Sequence, residues 1–150
     1  MIKNIIKGKA MGHPVHIMLI HFPVAFFPMS LVLDILSIIY SGNSLSLFSF
    51  YSSSAGVITG IFAMFFGAID LINIPSKEKY FNTALLHGGL NFLWIAVFAI
   101  IDGINFKNYP EIFIPNKIQV IVEFVIVSGM IYSNFLGGEL VLKYGLGRKE

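Results

Sequence analysis

Residues 14–40 read PVHIMLIHFPVAFFPMSLVLDILSIIY, an apolar run that is long enough to cross a bilayer and is interrupted near its start by histidines. A helix rises about 1.5 Å per residue, so about 20 residues cross a hydrocarbon core of about 30 Å. Three more apolar runs follow, at residues 46–74, 82–104 and 116–142. The sequence predicts an all-α protein, an up-down bundle of four transmembrane helices that forms one domain over residues 1–150.

The composition fits a membrane protein and excludes several kinds of site. Hydrophobic residues make up 56% of the chain and charged residues 12%, against about 25% charged residues in soluble domains. The chain has no cysteine, which excludes disulfides, iron–sulfur clusters and thiolate metal sites. A net charge of +2 without a basic stripe argues against nucleic-acid binding. The partner that the composition predicts is the lipid bilayer.

Positive residues indicate how the bundle lies in the membrane. They gather at both termini and between the second and third runs, whereas the other connections hold only Lys107 and Lys117. The positive-inside rule then places both termini in the cytoplasm. Asp34, Asp102, Glu111 and Glu123 fall at or near the outer side, where water or the two lysines are expected to accommodate them.

Polar side chains are predicted to converge in the cytoplasmic half of the bundle. Because the helices alternate in direction, the starts of helices one and three share a layer with the ends of helices two and four. Ionisable residues inside a membrane are costly and are functional candidates by default. The predicted layer comprises His13, His16, His21, Asp70, His87, Asn91 and Glu139.

One interpretation of this layer is a b-type haem for electron transfer. Membrane cytochromes hold iron with histidines from facing helices, and helices one and three lie diagonally opposite in an up-down bundle. His21 and His87 are predicted at matching depth as the axial pair, with His13 and His16 as further cofactor-binding residues. The two glycines that follow His87 are expected to make room for the macrocycle.

Three other interpretations stay open. Imidazole and carboxylate suit a divalent transition metal such as zinc, iron or copper, with His21, His87, Asp70 and Glu139 as ligands. A proton-linked transport protein would use the same groups, since histidine titrates near neutral pH. The layer alternatively fixes helix register in a structural or assembly subunit of a redox complex. Around any bound cofactor, Asp70, Asn91 and Glu139 are expected to orient the ligands.

Catalytic motifs are not found in this sequence. The serines of residues 44–54 lie in no nucleophile elbow and far from the histidines, and the glycines at 145 and 147 follow no strand. The pattern therefore indicates an electron carrier or a binding or transport module rather than an enzyme.

Small residues recur at helical spacing on the second and fourth helices. Such rows let helices approach closely in lipid, either within one bundle or between the copies of a homodimer. They are Gly56, Gly60, Ala63 and Gly67 on helix two, and Gly129, Ser133 and Gly137 on helix four.

Four motifs together resemble a bacterial family. They are GHPVHIMLIHFPVA at residues 12–25, GAID at 67–70, LLHGGLN at 85–91 and GGELVLKYGLG at 137–147. On these motifs the chain resembles the predicted membrane proteins of domain of unknown function 2231.

The resemblance implies a four-span module of the bacterial inner membrane. Some relatives are joined to Rieske or cytochrome c domains, which implies a membrane or soluble redox protein as partner. This chain departs from the family in two places, because Ile17 stands where a proline is common and Tyr144 where a histidine is common. The resemblance carries over His13, His16, His21, Asp70, His87 and Glu139.

Overall fold

A computed structural model describes residues 9–10 and 13–147, with side chains from residue 14 onward. The described part begins with a short antiparallel bridge between β1 (Lys9–Ala10) and β2 (His13–Pro14). Helices follow as α1 (Val15–Leu19), α2 (His21–Tyr40), α3 (Asn43–Ile72), α4 (Phe81–Phe106) and α5 (Lys117–Leu142). Because α1 and α2 form one span, Val15–Tyr40, the described residues contain 4 helices long and apolar enough to cross a membrane. The predicted four-helix membrane fold is confirmed.

Local sequence signals explain where the spans begin, bend and end. Pro14 stands directly before α1, where its missing N–H costs nothing. Ile20 separates α1 from α2. Pro23 follows three residues later, and because it has no N–H it cannot make the usual helical hydrogen bond to the carbonyl four residues earlier. Ser41 ends α2 with a left-handed φ of 50°. Asn116 caps α5 by accepting a hydrogen bond from the N–H of residue 119 at 2.9 Å.

The spans form an up-down ring. Each long helix packs against its neighbours in sequence, α2 closes the ring against α5, and α1 packs against α3. The diagonal helices α2 and α4 meet at the centre, where the rings of Phe27 and Phe98 stack with centroids 4.2 Å apart. Around this pair lies a core of Phe27, Val57, Ile95, Phe98, Ile126 and Met130.

This core divides the bundle into two ends. The histidine end contains α1, the start of α4 and the ends of α3 and α5. The carboxyl end contains the end of α2, the start of α3, the end of α4 and the start of α5. The two names are used below for these two regions.

Large apolar side chains cover the outside of the spans. Phe65, Phe92, Phe124 and Ile131 are each 60% or more exposed. In water, an exposed apolar surface of this kind would make the protein associate with other molecules. In the hydrocarbon core of a bilayer, it is the surface that a transmembrane bundle is expected to have. The bundle therefore contacts the lipid bilayer through these side chains.

The predicted rows of small residues lie at close contacts inside the bundle. A Cβ added to Gly56 would lie 2.8 Å from the buried Phe27 ring, and one added to Gly129 would lie 2.6 Å from the Trp94 ring. The glycines thus accept bulky side chains of the neighbouring helices against the backbone.

Candidate functional site

Two histidines meet at the histidine end. His16 lies in α1 and His87 in α4, which belong to the diagonal spans. Their ring centroids are 6.3 Å apart and the ring planes are nearly perpendicular, at 80°. Both side chains are half-buried. The fold thus brings two imidazoles together across the axis of the bundle.

Each ring is held through Nδ1 by a backbone carbonyl of a neighbouring helix. His16 Nδ1–H donates to Ala63 O of α3 at 2.8 Å, and His87 Nδ1–H donates to Ser133 O of α5 at 2.7 Å. A carbonyl oxygen only accepts, so these contacts assign the proton of each neutral ring to Nδ1. Each Nε2 then carries a lone pair, and that of His87 lies 3.5 Å from Asn91 Nδ2. Metal-binding histidines are commonly oriented by such a bond from the other ring nitrogen.

The same local arrangement holds both rings. One turn after each carbonyl stands a glycine on the same helix, Gly67 after Ala63 and Gly137 after Ser133. A Cβ added to Gly67 would lie 2.9 Å from His16 Cε1, and one added to Gly137 would lie 2.7 Å from His87 Cε1. Neither position has room for a side chain, so the Cε1 corner of each ring lies against the backbone of the neighbouring helix.

Asn91 supports the helix contact beside His87. Its Nδ2 donates to Ser133 Oγ at 2.7 Å and to the backbone oxygen of His87 at 2.9 Å. Ser133 is fully buried. The structure therefore places Asn91 next to His87, as expected, and joins α4 to α5 through it.

A cavity of about 30 Å³ adjoins the two rings. This volume holds roughly two water molecules. Its lining includes both histidines together with Asn91, Met64 and Met130. None of the described residues that line it is acidic, so every side chain in contact with the cavity can be neutral.

His21 is not the partner of His87. It is exposed at the start of α2, and its Nδ1 lies 3.4 Å from Met18 O of the same span. Five residues separate His16 from His21, which is about 140° around a helix. His16 faces the bundle interior, and the exposed His21 faces outward. The structure therefore brings His16, and not His21, together with His87.

The remaining predicted ligands whose side chains are described do not line the cavity beside the pair. Glu139 makes an ion pair with Lys143 on the next turn of α5, at 3.5 Å. Asp70 is half-buried in the last turn of α3 and does not line the cavity. The side chain of His13 lies outside the described residues. Among the residues that are described, no three histidine or acidic side chains come together as a metal site, so the predicted set with carboxylate ligands is not assembled.

A haem does not fit between His16 and His87 as they are packed. Pockets for ligands of that size class run to several hundred Å³, on the order of ten times this cavity. Gly88 and Gly89, which were expected to make room for the macrocycle, are exposed, and an added Cβ would meet no atom within 4 Å. The space beside the two imidazoles suits a small ion or water.

The carboxyl end holds a second set of buried polar side chains, which includes three acids. Asp34, Asp102 and Glu123 are 4%, 8% and 2% exposed. Asp102 accepts hydrogen bonds from Ser53 Oγ at 2.5 Å and from Ser54 Oγ at 3.2 Å. The expectation that water or lysines accommodate these acids is wrong, because the acids are buried and the described residues contain no ion pair at this end.

The sequence profile of a predicted membrane protein family, DUF2231, matches residues 12–150. The chain belongs to this family. DUF2231 membership agrees with the four spans and confirms the resemblance noted from the motifs. No curated protein matches the chain, and no solved structure matches it either.

Proposed function

We propose that this DUF2231 protein binds a soft transition-metal ion within the membrane, with His16 and His87 as ligands. The proposal rests on the two Nδ1 contacts, because Ala63 O and Ser133 O fix the tautomer of each ring. Each Nε2 keeps its lone pair, and both imidazoles line one small cavity. Two such nitrogens suit zinc, copper, iron or nickel.

The cavity lining favours a monovalent ion over a divalent ion. An uncompensated charge in hydrocarbon is costly, and the cavity offers no carboxylate to balance a second positive charge. Met64 and Met130 add thioether sulfurs to the lining. Thioether and imidazole together select Cu(I) among common metals. We therefore expect Cu(I) as the bound ion.

Access to the site is expected from the histidine end. The stacked rings of Phe27 and Phe98 fill the centre of the bundle, which argues against an open path through it. The lysine distribution supports a cytoplasmic position for the histidine end. On this proposal the protein binds or passes on copper at the inner face of a bacterial inner membrane.

A competition titration tests the proposal. Metal-free protein in detergent is titrated with Cu(I) under anaerobic conditions against a coloured Cu(I) chelator. His16→Ala and His87→Ala should each weaken binding by more than the roughly 10- to 100-fold that loss of a supporting contact causes. His21→Ala is the matched control, because His21 is exposed on the same span. Equal affinity in all three variants would contradict the proposal.

The same preparation separates the other interpretations. A ligand that binds only the folded protein raises its melting temperature, so Cu(I) should stabilise the wild type and neither histidine variant. If His87→Ala lowers stability and no metal effect is seen, the histidines only fix helix register. Preferential binding of Zn²⁺ would contradict the argument from charge. A Soret band after haem supplementation, lost in both variants, would instead support the haem interpretation.

A further inference from the structure

We infer that Asp34 and Glu123 form a proton-binding acid pair at the carboxyl end, separate from the histidine site. Asp34 comes from α2 and Glu123 from α5, helices that close the ring of the bundle. Gln119 Nε2 joins them, donating to Glu123 Oε1 at 2.9 Å and to Asp34 Oδ2 at 3.4 Å.

Buried groups without a partner point to a ligand in this cluster. Glu123 Oε2 is buried and has no donor among the described residues. Ser46 Oγ is also buried without a partner, in a side chain that is 1% exposed. Ser46 lies two turns before Ser53 on the same face of α3, and Ser53 donates to Asp102 at this end of the bundle. Buried polar atoms are nearly always satisfied, so the open position at Glu123 Oε2 marks where a proton and its hydrogen bond belong.

Every helix at this end contributes polar groups, and among the described residues no positively charged side chain makes an ion pair there. Among the described residues, the buried titratable side chains at this end are Asp34 from α2, Asp102 from α4 and Glu123 from α5, while α3 presents serines. Lys107 directly follows α4 and Lys117 begins α5, and both side chains are exposed. Two carboxylates that share a buried site cannot both ionise without a cation. A proton held between Asp34 and Glu123 removes this conflict.

The donors around the pair favour a proton over a metal cation. The amide NH₂ of Gln119 occupies the position between the two carboxyl groups, and its partial positive charge would repel a cation there. Asp102 differs, because two hydroxyl donors serve its two oxygens and support the carboxylate form. At this end of the bundle, the acid pair therefore holds a proton, while Asp102 is a carboxylate that can accept one. Chains of buried acids of this kind serve as proton relays in membrane proteins.

The acid pair acts apart from the histidines. Ten residues of α5 separate Glu123 from Ser133, which is about 15 Å along the helix axis. The apolar core lies between them, with Ile126 and Met130 on that stretch of α5. Proton exchange at the pair therefore takes place through the carboxyl end, and it needs no metal at the histidine end.

Infrared spectroscopy of the metal-free protein in lipid vesicles tests this inference. A protonated carboxyl group absorbs in a C=O region that is separate from carboxylate. The wild type should keep a protonated-carboxyl band at neutral pH that shifts on exchange into D₂O. Glu123→Gln and Asp34→Asn should each remove this band, whereas Glu111→Gln should keep it, because Glu111 is exposed.

Two variants keep the test decisive if one of them fails to fold. Absence of the band in the wild type at neutral pH would overturn the inference, as would persistence of the band in both folded variants. Loss of the band when Na⁺ or Ca²⁺ is added at constant pH would also overturn it, in favour of a cation site. Failure of copper binding would leave this result unchanged, since the sample contains no metal.

Discussion

The glycine that packs against His87 provides a sharp test of the site geometry. A Cβ at position 137 would lie 2.7 Å from His87 Cε1, 3.2 Å from Nδ1 and 3.3 Å from Nε2. Gly137→Ala must therefore push the ring away from α5 and break the 2.7 Å bond to Ser133 O. Overpacking of this kind costs about 1–3 kcal/mol and the lost hydrogen bond about 1 kcal/mol, while alanine regains about 1 kcal/mol of helix propensity. We expect a net destabilisation of roughly 1–3 kcal/mol.

The next residue is the matched control. A Cβ at position 138 would meet no atom within 4 Å, so Gly138→Ala keeps only the gain in helix propensity. Reversible unfolding in mixed micelles measures both variants, and circular dichroism checks that each is helical before the titration. Copper affinity should fall in Gly137→Ala and stay unchanged in Gly138→Ala. Equal stability and affinity in the two variants would refute the placement of His87 against Gly137.

Three further changes test other parts of the fold by the same unfolding assay. Ser133→Ala deprives Asn91 of a buried hydrogen-bond acceptor and should lower the free energy of unfolding by about 1 kcal/mol. An unchanged free energy of unfolding would show that this hydrogen bond does not stabilise the bundle. Phe98→Ala opens a cavity in the core and should cost about 3 kcal/mol or more, whereas Phe92→Ala on the lipid-facing surface should cost much less, and equal losses would contradict the described core. Lys143→Ala should leave the free energy of unfolding unchanged within error, because the ion pair of Lys143 with Glu139 lies at the surface. A clear loss of stability would show that Lys143 stabilises the bundle by more than this ion pair.

The bundle itself was predictable because hydropathy acts over whole spans. An apolar run of about 20 residues is a strong signal, and proline and glycine mark its limits. The predicted second run of 46–74 differs from the observed Asn43–Ile72 by only a few residues at each end. Depth in the membrane follows from counting residues along a span. Counting in this way predicts His16 and His87 in one layer of the bundle, and their rings lie 6.3 Å apart.

The choice between His16 and His21 could not be made from depth alone. Which of the two faces inward depends on the rotation of the span, which is set by packing against another helix. The deciding contacts are the carbonyl of Ala63 and the space at Gly67. Both belong to α3, far away in the sequence. The glycine row was visible, but nothing local connected it with a particular histidine.

The acid cluster carried a readable signal that the charge rule obscured. Ser30 and Ser37 stand within one turn of Asp34 on either side, which is a polar face inside a span. Lys107 and Lys117 are the lysines in the connections on the same side as the acids, which suggested that they neutralise them. The positive-inside rule, however, predicts how a protein is oriented in the membrane and not which side chains are in contact. Their side chains extend outward instead, and the acids are buried among hydroxyl and amide groups.

X-ray absorption at the copper edge of the loaded protein tests most directly whether His16 and His87 hold the ion together. The spectrum should show scattering from two imidazole rings around the copper ion, with a further contribution from the thioether sulfurs that line the cavity. In His16→Ala the imidazole contribution should fall to that of a single ring, while His21→Ala should give the wild-type spectrum. A spectrum without imidazole scattering, or one that His16→Ala leaves unchanged, would contradict the account.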